Sequence, residues 1–142
     1  MDANAAFLNE IYENARMGEE TLGVLLRYAE AGDFAGEMQD ERRRFTGFMD
    51  KARDQLRKAG EEPHDSAALG RGWAKLMTGA KAMRDPSASR MAEMLIEGNT
   101  AGVTDMTRLL AADEGLDPGV RALGHALKTF ELQNIQNCRR YL

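Results

Sequence analysis

Apolar residues recur along this chain in alternating steps of three and four. The first run is Phe7, Ile11, Ala15, Gly18, Leu22, Leu25 and Ala29, and the second is Phe34, Met38, Glu41, Phe45, Phe48, Ala52, Leu56 and Ala59. The third is Met91, Leu95, Gly98, Gly102, Met106 and Leu109, and the fourth is Val120, Leu123, Leu127, Phe130, Asn134, Cys138 and Tyr141. Such spacing lays a stripe along one face of a helix, and nothing in the chain reads convincingly as a strand.

Turn residues set the bounds. Gly32-Asp33 closes one run and opens the next, because Gly suits a left-handed C′ position and Asp accepts from free N-terminal amides. Gly60 and Gly115 end later runs, while Asp85-Pro86 and Asp117-Pro118 read as N-cap followed by proline at the first helical position. The pattern predicts four long helices at about 4–31, 34–60, 86–113 and 118–141, with a shorter helix at about 67–83 between the second and third. Short turns after the first and third force antiparallel hairpins, and the long middle connection forms a crossover. The expectation is an all-α four-helix bundle, folded as one domain over 1–142.

The two halves also match at a constant offset: Ile11 with Leu95, Glu13 with Glu97, Gly18 with Gly102, Leu22 with Met106, Asp33 with Asp117. Paired hairpins, a long crossover and related halves resemble the ferritin-like superfamily. Phe7-Leu8-Asn9-Glu10-Ile11-Tyr12 and Met94-Leu95-Ile96-Glu97-Gly98-Asn99-Thr100 resemble, more narrowly, small bacterial ferritin-like domains of unassigned function. The resemblance implies a test, because di-iron and di-manganese members direct a Glu from each of two helices, and Glu-x-x-His from each of the other two, into the core.

At about 100° per residue, Glu41 falls at the centre of the second stripe, and Glu131 lies near the centre of the fourth. Arg44 and Asn134 stand where the two histidines would be. On the first helix Glu13 and Glu20 point away from the stripe and Asn14 is the polar residue nearest the core. On the third, Glu93 and Glu97 also point away, Gly98 and Gly102 face inward, and Asn99 and Asp105 lie at the edges. His64 falls in the crossover and His125 on the solvent side of the fourth helix. No metal ligand set, cofactor or catalytic group is therefore expected. The inward residues Asn14, Glu41, Arg44, Asp105, Glu131 and Asn134 are read as a polar core layer, a degenerate relic of such a site, with Arg44 pairing Glu41. Exposure at a bundle end and ligand binding stay open as alternatives.

The crossover is distinctive. It has no acidic residue between Ser66 and Arg84, and Leu69, Trp73, Leu76, Met77 and Ala80 form an apolar stripe beside Arg71, Lys75, Lys81 and Arg84. Leu69, Arg71, Trp73, Lys75 and Met77 are candidates for an interaction surface, whether a partner's groove or an anionic membrane. Docking of Trp73 onto the bundle, or across a dimer interface, is the favoured alternative.

Composition adds exclusions. The 142 residues are 43% hydrophobic and 30% charged with a net charge of −4, which speaks against disorder and against a general nucleic-acid binder. No apolar run spans a membrane, no signal pattern opens the chain, and the lone Cys138 suits a cytoplasmic protein. Fourteen glycines are many for so helical a chain. Gly18, Gly98, Gly102 and Gly124 fall on or beside the inward stripes, where close approach of helix backbones would offset their poor helix propensity. The expected protein is a non-catalytic bundle acting by self-association, most simply as a homodimer, or by partner binding. A carboxylate-bridged di-iron or di-manganese oxidase or ferroxidase is the alternative.

Overall fold

The computed structural model describes residues 2–64, 71–112 and 115–142. Its helices are α1 (Ala3–Leu26), α2 (Asp33–Lys58), α3 (Arg71–Lys81), α4 (Ala88–Ala111) and α5 (Pro118–Arg139). The pairs α1–α2 and α4–α5 form two hairpins, joined by a crossover that contains α3. The N–H of Asp117 donates to Asn4 Oδ1 at 2.9 Å, which sets the starts of α5 and α1 side by side. At the opposite end Phe34 stacks on Tyr141, with centroids 4.2 Å apart. Helices α1 and α5 are thus parallel, and both run against α2 and α4. The crossover travels the length of the bundle, with α3 lying against α1 and α4.

Several boundaries differ from expectation. Helix α1 stops at Leu26, five residues before the predicted end. Leu25 is its last fully buried residue, and the next N–H groups tighten onto Val24 and Leu25 carbonyls around exposed Tyr28. Gly32, not Asp33, is the N-cap of α2, so Asp33 lies within its first turn. Helix α4 is capped by Ser87, whose hydroxyl accepts from the Arg90 N–H at 3.1 Å, while Asp85 accepts from the Ser87 N–H just ahead of it. The Asp85-Pro86 pair therefore precedes the helix. Gly60 ends α2 at φ 77°, with Gly60 N–H bonded to the Arg57 carbonyl and Glu61 N–H to that of Leu56. That left-handed wrap is what glycine permits at a helix end.

The core includes residues of all five helices: Ile11 and Leu22 of α1, Met38 and Phe45 of α2, Trp73 and Ala80 of α3, Leu95 and Met106 of α4, Leu127 and Phe130 of α5. The side chain of Trp73 is 1% exposed.

The glycines of the stripes serve side chains, which corrects the expectation of backbone-to-backbone approach. A Cβ on Gly18 would overlap the Phe45 ring, one on Gly98 the Trp73 indole, one on Gly102 the Glu131 carboxyl, and one on Gly124 the Phe7 ring. Each glycine is a seat in which a larger group from a neighbouring helix comes to rest.

Candidate functional site

The centre of the bundle is a hydrogen-bonded relay built from four helices. Asn14, on the inward stripe of α1, accepts at Oδ1 from the indole Nε1–H of Trp73 at 3.3 Å. Its Nδ2 donates to Glu131 Oε1 at 3.1 Å and reaches the Gly102 carbonyl at 3.4 Å. A primary amide suits this post, because it offers donors and an acceptor at once. Gly98 and Gly102, one turn apart on α4, leave room for the indole and the carboxyl respectively. Phe45 of α2 closes the far side, its ring perpendicular to the indole at 6.1 Å between centroids.

Glu131 is fully buried, and its Oε2 has no hydrogen-bond partner. Burial drives its pKa well above the ordinary carboxylic range; the Asn14 bond opposes this and the charge of Asp105 adds to it. Such a placement favours the neutral form of the carboxyl over the charged one.

A second polar pair joins α5 to α4: Asn134 Nδ2 donates to Asn99 Oδ1 at 3.1 Å, and Asn99 Nδ2 donates to the Leu95 carbonyl at 2.8 Å. Asn99 is fully buried, where the helical wheel puts it at an edge. Four residues beyond Leu95, it lies on the flank of the stripe, and a wider inward face would have included it.

The remaining predicted members do not join. Glu41 is buried, with Oε2 unpartnered and its pKa pushed up to about 8 by burial first, then by the charge of Glu37, with Arg44 opposing. Arg44 does not bond it; that expected ion pair is replaced by an exposed guanidinium 4.6 Å above the Phe130 ring. Asp105 pairs with Arg108 at 3.5 Å near the surface. Burial and the charges of Glu41 and Glu37 raise the Cys138 thiol, which is inert as a nucleophile.

Glu13 is also a correction. Expected to face solvent, its side chain is 4% exposed and held by both ends of the Arg16 guanidinium, at 3.1 and 2.9 Å. Asn9, one turn earlier, is also buried and accepts the His64 N–H at 2.8 Å, which ties the start of the connection to α1.

The crossover stripe faces inward. Trp73 and Met77 are buried, and only Lys75 of the described candidates faces solvent; Leu69 and the side chain of Arg71 lie outside the described residues. The described part of the stripe, Trp73, Leu76, Met77 and Ala80, is docked in the core and turned away from any membrane or partner's groove. Among the described residues, no helix is long and apolar enough to cross a membrane.

Compared with protein-family models, curated proteins and solved structures, the chain matches none. Chemistry must therefore be judged from the site itself. A two-metal centre needs several carboxylates and neutral imidazoles converging on one point. Here Glu131 is tied to Asn14 and its free oxygen faces Gly102, while the charges that act on Glu41 are those of Glu37 and Arg44. Among the described residues, no group of three His, Cys, Asp or Glu side chains is placed to hold a metal ion. The residues do not fit such a centre.

Proposed function

We propose that this protein is a non-catalytic bundle of the ferritin-like type that acts through association, most simply as a cytoplasmic homodimer. The observation that carries the reading is the Trp73–Asn14–Glu131 relay. It fills the middle of the bundle, the level at which metal-binding ferritin-like proteins place their carboxylates, with an indole, an amide and a single buried carboxyl. Antiparallel hairpins with a crossover laid along one seam support the same type of fold.

Support for self-association comes from one end of the bundle. Exposed Tyr28 and Leu142 lie at the end where Phe34 stacks on Tyr141, beside a cleft of about 290 Å³ lined by Ala29, Phe34, Pro86 and Met91. Glu30 and Asp85 adjoin that cleft, and the Arg140 guanidinium lies 5.6 Å from the centre of the Tyr141 ring, so both signs of charge edge the apolar patch. A mixed rim of this kind permits a self-complementary two-fold contact.

Sedimentation equilibrium of the purified chain tests the proposal, together with elemental analysis after growth in iron and in manganese. A dimer that Tyr28→Glu with Leu142→Glu converts to monomer, carrying no stoichiometric metal, is the expected result. A monomer at all concentrations sinks the association reading, and about two metal ions per chain, the count of a di-metal bundle, sinks the rest.

A further inference from the structure

Most described arginines of this chain rest against a carboxylate, as Arg16, Arg53, Arg90 and Arg108 do. One cleft departs from that habit. It measures about 530 Å³ and draws its lining from α1, α2 and the end of α3. Arg27, Arg42 and Lys81 line it with Glu19 and Glu20, while Val24 and Met77 supply apolar carbon. Both acids are already engaged: Glu20 accepts from Arg16 at 2.9 Å, and Glu19 from the Arg42 Nε–H at 2.8 Å. Arg27 and Lys81 are not, since neither side chain has a hydrogen bond or ion pair among the described residues. Each closes a helix, where a cation offsets the terminal dipole, but that role engages none of its donors.

Arg42 is held ready in a way that a solvated arginine is not. It reaches from α2 across the face of α1, where a Cβ on Gly23 would lie 2.8 Å from its Nη2. Gly23 gives up helix propensity within α1, and a guanidinium fills the space so vacated. Glu19, one turn earlier on the same helix, fixes the Nε edge. The two terminal amino groups make no hydrogen bond among the described residues, and they form an edge that a carboxylate can meet with two parallel bonds. A fork fixed in advance lowers the ordering cost of binding.

We propose that this cleft binds a small organic carboxylate, its head group on the Arg42 fork with Arg27 and Lys81 beside it, and its carbon body on Val24 and Met77. Three cations against two acids leave one positive charge in the lining, which a monoanion balances. The volume falls in the range of small-molecule sites. The proposal goes beyond the association reading and does not rest on it.

Benzoate is the probe, titrated into the wild-type chain by calorimetry at low salt, where exposed charges are least screened. One saturable site is expected, with acetate bound several-fold more weakly and benzyl alcohol not at all. Arg27→Gln and Lys81→Gln are each expected to weaken benzoate several-fold. Gly23→Ala, which pushes the Arg42 guanidinium aside, is expected to do the same without removing a charge. Lys58→Gln, the same loss of charge on α2 but outside the cleft, is expected to leave the affinity as it was. Absence of saturable binding to the wild-type chain overturns the proposal. So does an equal loss in Lys58→Gln, the mark of diffuse attraction, and so does phenyl phosphate bound more tightly than benzoate, which contradicts the charge match. Arg27 and Lys81 are exposed, so their variants decide even where Gly23→Ala fails to fold.

Discussion

The carboxyl of Glu131 occupies the space in which a side chain on residue 102 would begin. A methyl group at that position would have to shift a fully buried acid that is bonded to Asn14. Gly102→Ala is expected to lower stability by roughly 1–3 kcal/mol. Gly47→Ala, also within a helix but with nothing near its Cβ position, is expected to raise stability by up to about 1 kcal/mol. Urea denaturation of the two variants checks the opposite signs.

Glu41 makes stability depend on pH. Its folded pKa of about 8 lies above the reference value of 4.5, so the native chain keeps a proton that the unfolded chain releases. The stability this confers is complete below pH 4.5 and is lost as pH rises to about 8, levelling off above. Glu131, shifted in the same direction, adds to the trend. Glu41→Gln is therefore expected to gain on wild type steadily across that window, by on the order of a few kcal/mol at its upper end. Melting curves of both proteins at a series of pH values give the difference directly. A gap that shrinks with rising pH would show that the carboxyl finds a partner.

These two acids show what the chain reveals before its fold is known. The three-and-four spacing placed Glu41 and Glu131 on inward faces, and both are buried, because burial on a helix follows from period alone. Period did not reveal what each would meet. Arg44 is three residues from Glu41, a spacing that permits pairing, yet the Phe130 face competes for its guanidinium. Glu13 reads as solvent-facing because it lies off the stripe of its own helix, and a period alone does not count the tertiary neighbours that bury it. Trp73 was legible as the apolar anchor of α3, whereas its bond to Asn14, 59 residues away in the chain, belongs to tertiary structure.

Arg44→Ala tells a charge acting on Glu41 from a distance apart from a buried ion pair. Losing an exposed cation–π contact is expected to cost about 0.5–1 kcal/mol, and, with the opposing charge of Arg44 gone, the pH at which the stability from Glu41 is lost is expected to move upward. Breaking a buried ion pair would cost about 3–5 kcal/mol. The size of the loss in denaturant titration separates the two.

Trp73→Phe keeps most of the ring and removes the N–H, leaving Asn14 Oδ1 buried without its donor. The expected loss is about 1–3 kcal/mol for the orphaned acceptor, plus a smaller share for the lost ring volume. In Asn14→Leu, where that acceptor is gone, the further cost of Trp73→Phe is expected to fall, and a double-mutant cycle by thermal unfolding measures the coupling. Strict additivity would mean that the 3.3 Å bond contributes nothing to stability.

Each hairpin closes through neighbours in the chain, but the Trp73 seat exists only where the two hairpins have met. In time, as well as in space, the indole is therefore the keystone. Local hairpin contacts form early because their loop-closure entropy is small, and a contact that requires every helix forms late. Residue 73 should accordingly show a φ-value near zero, its loss quickening unfolding while hardly slowing folding. As the chain's single tryptophan, it supplies a built-in optical signal for the final act of assembly.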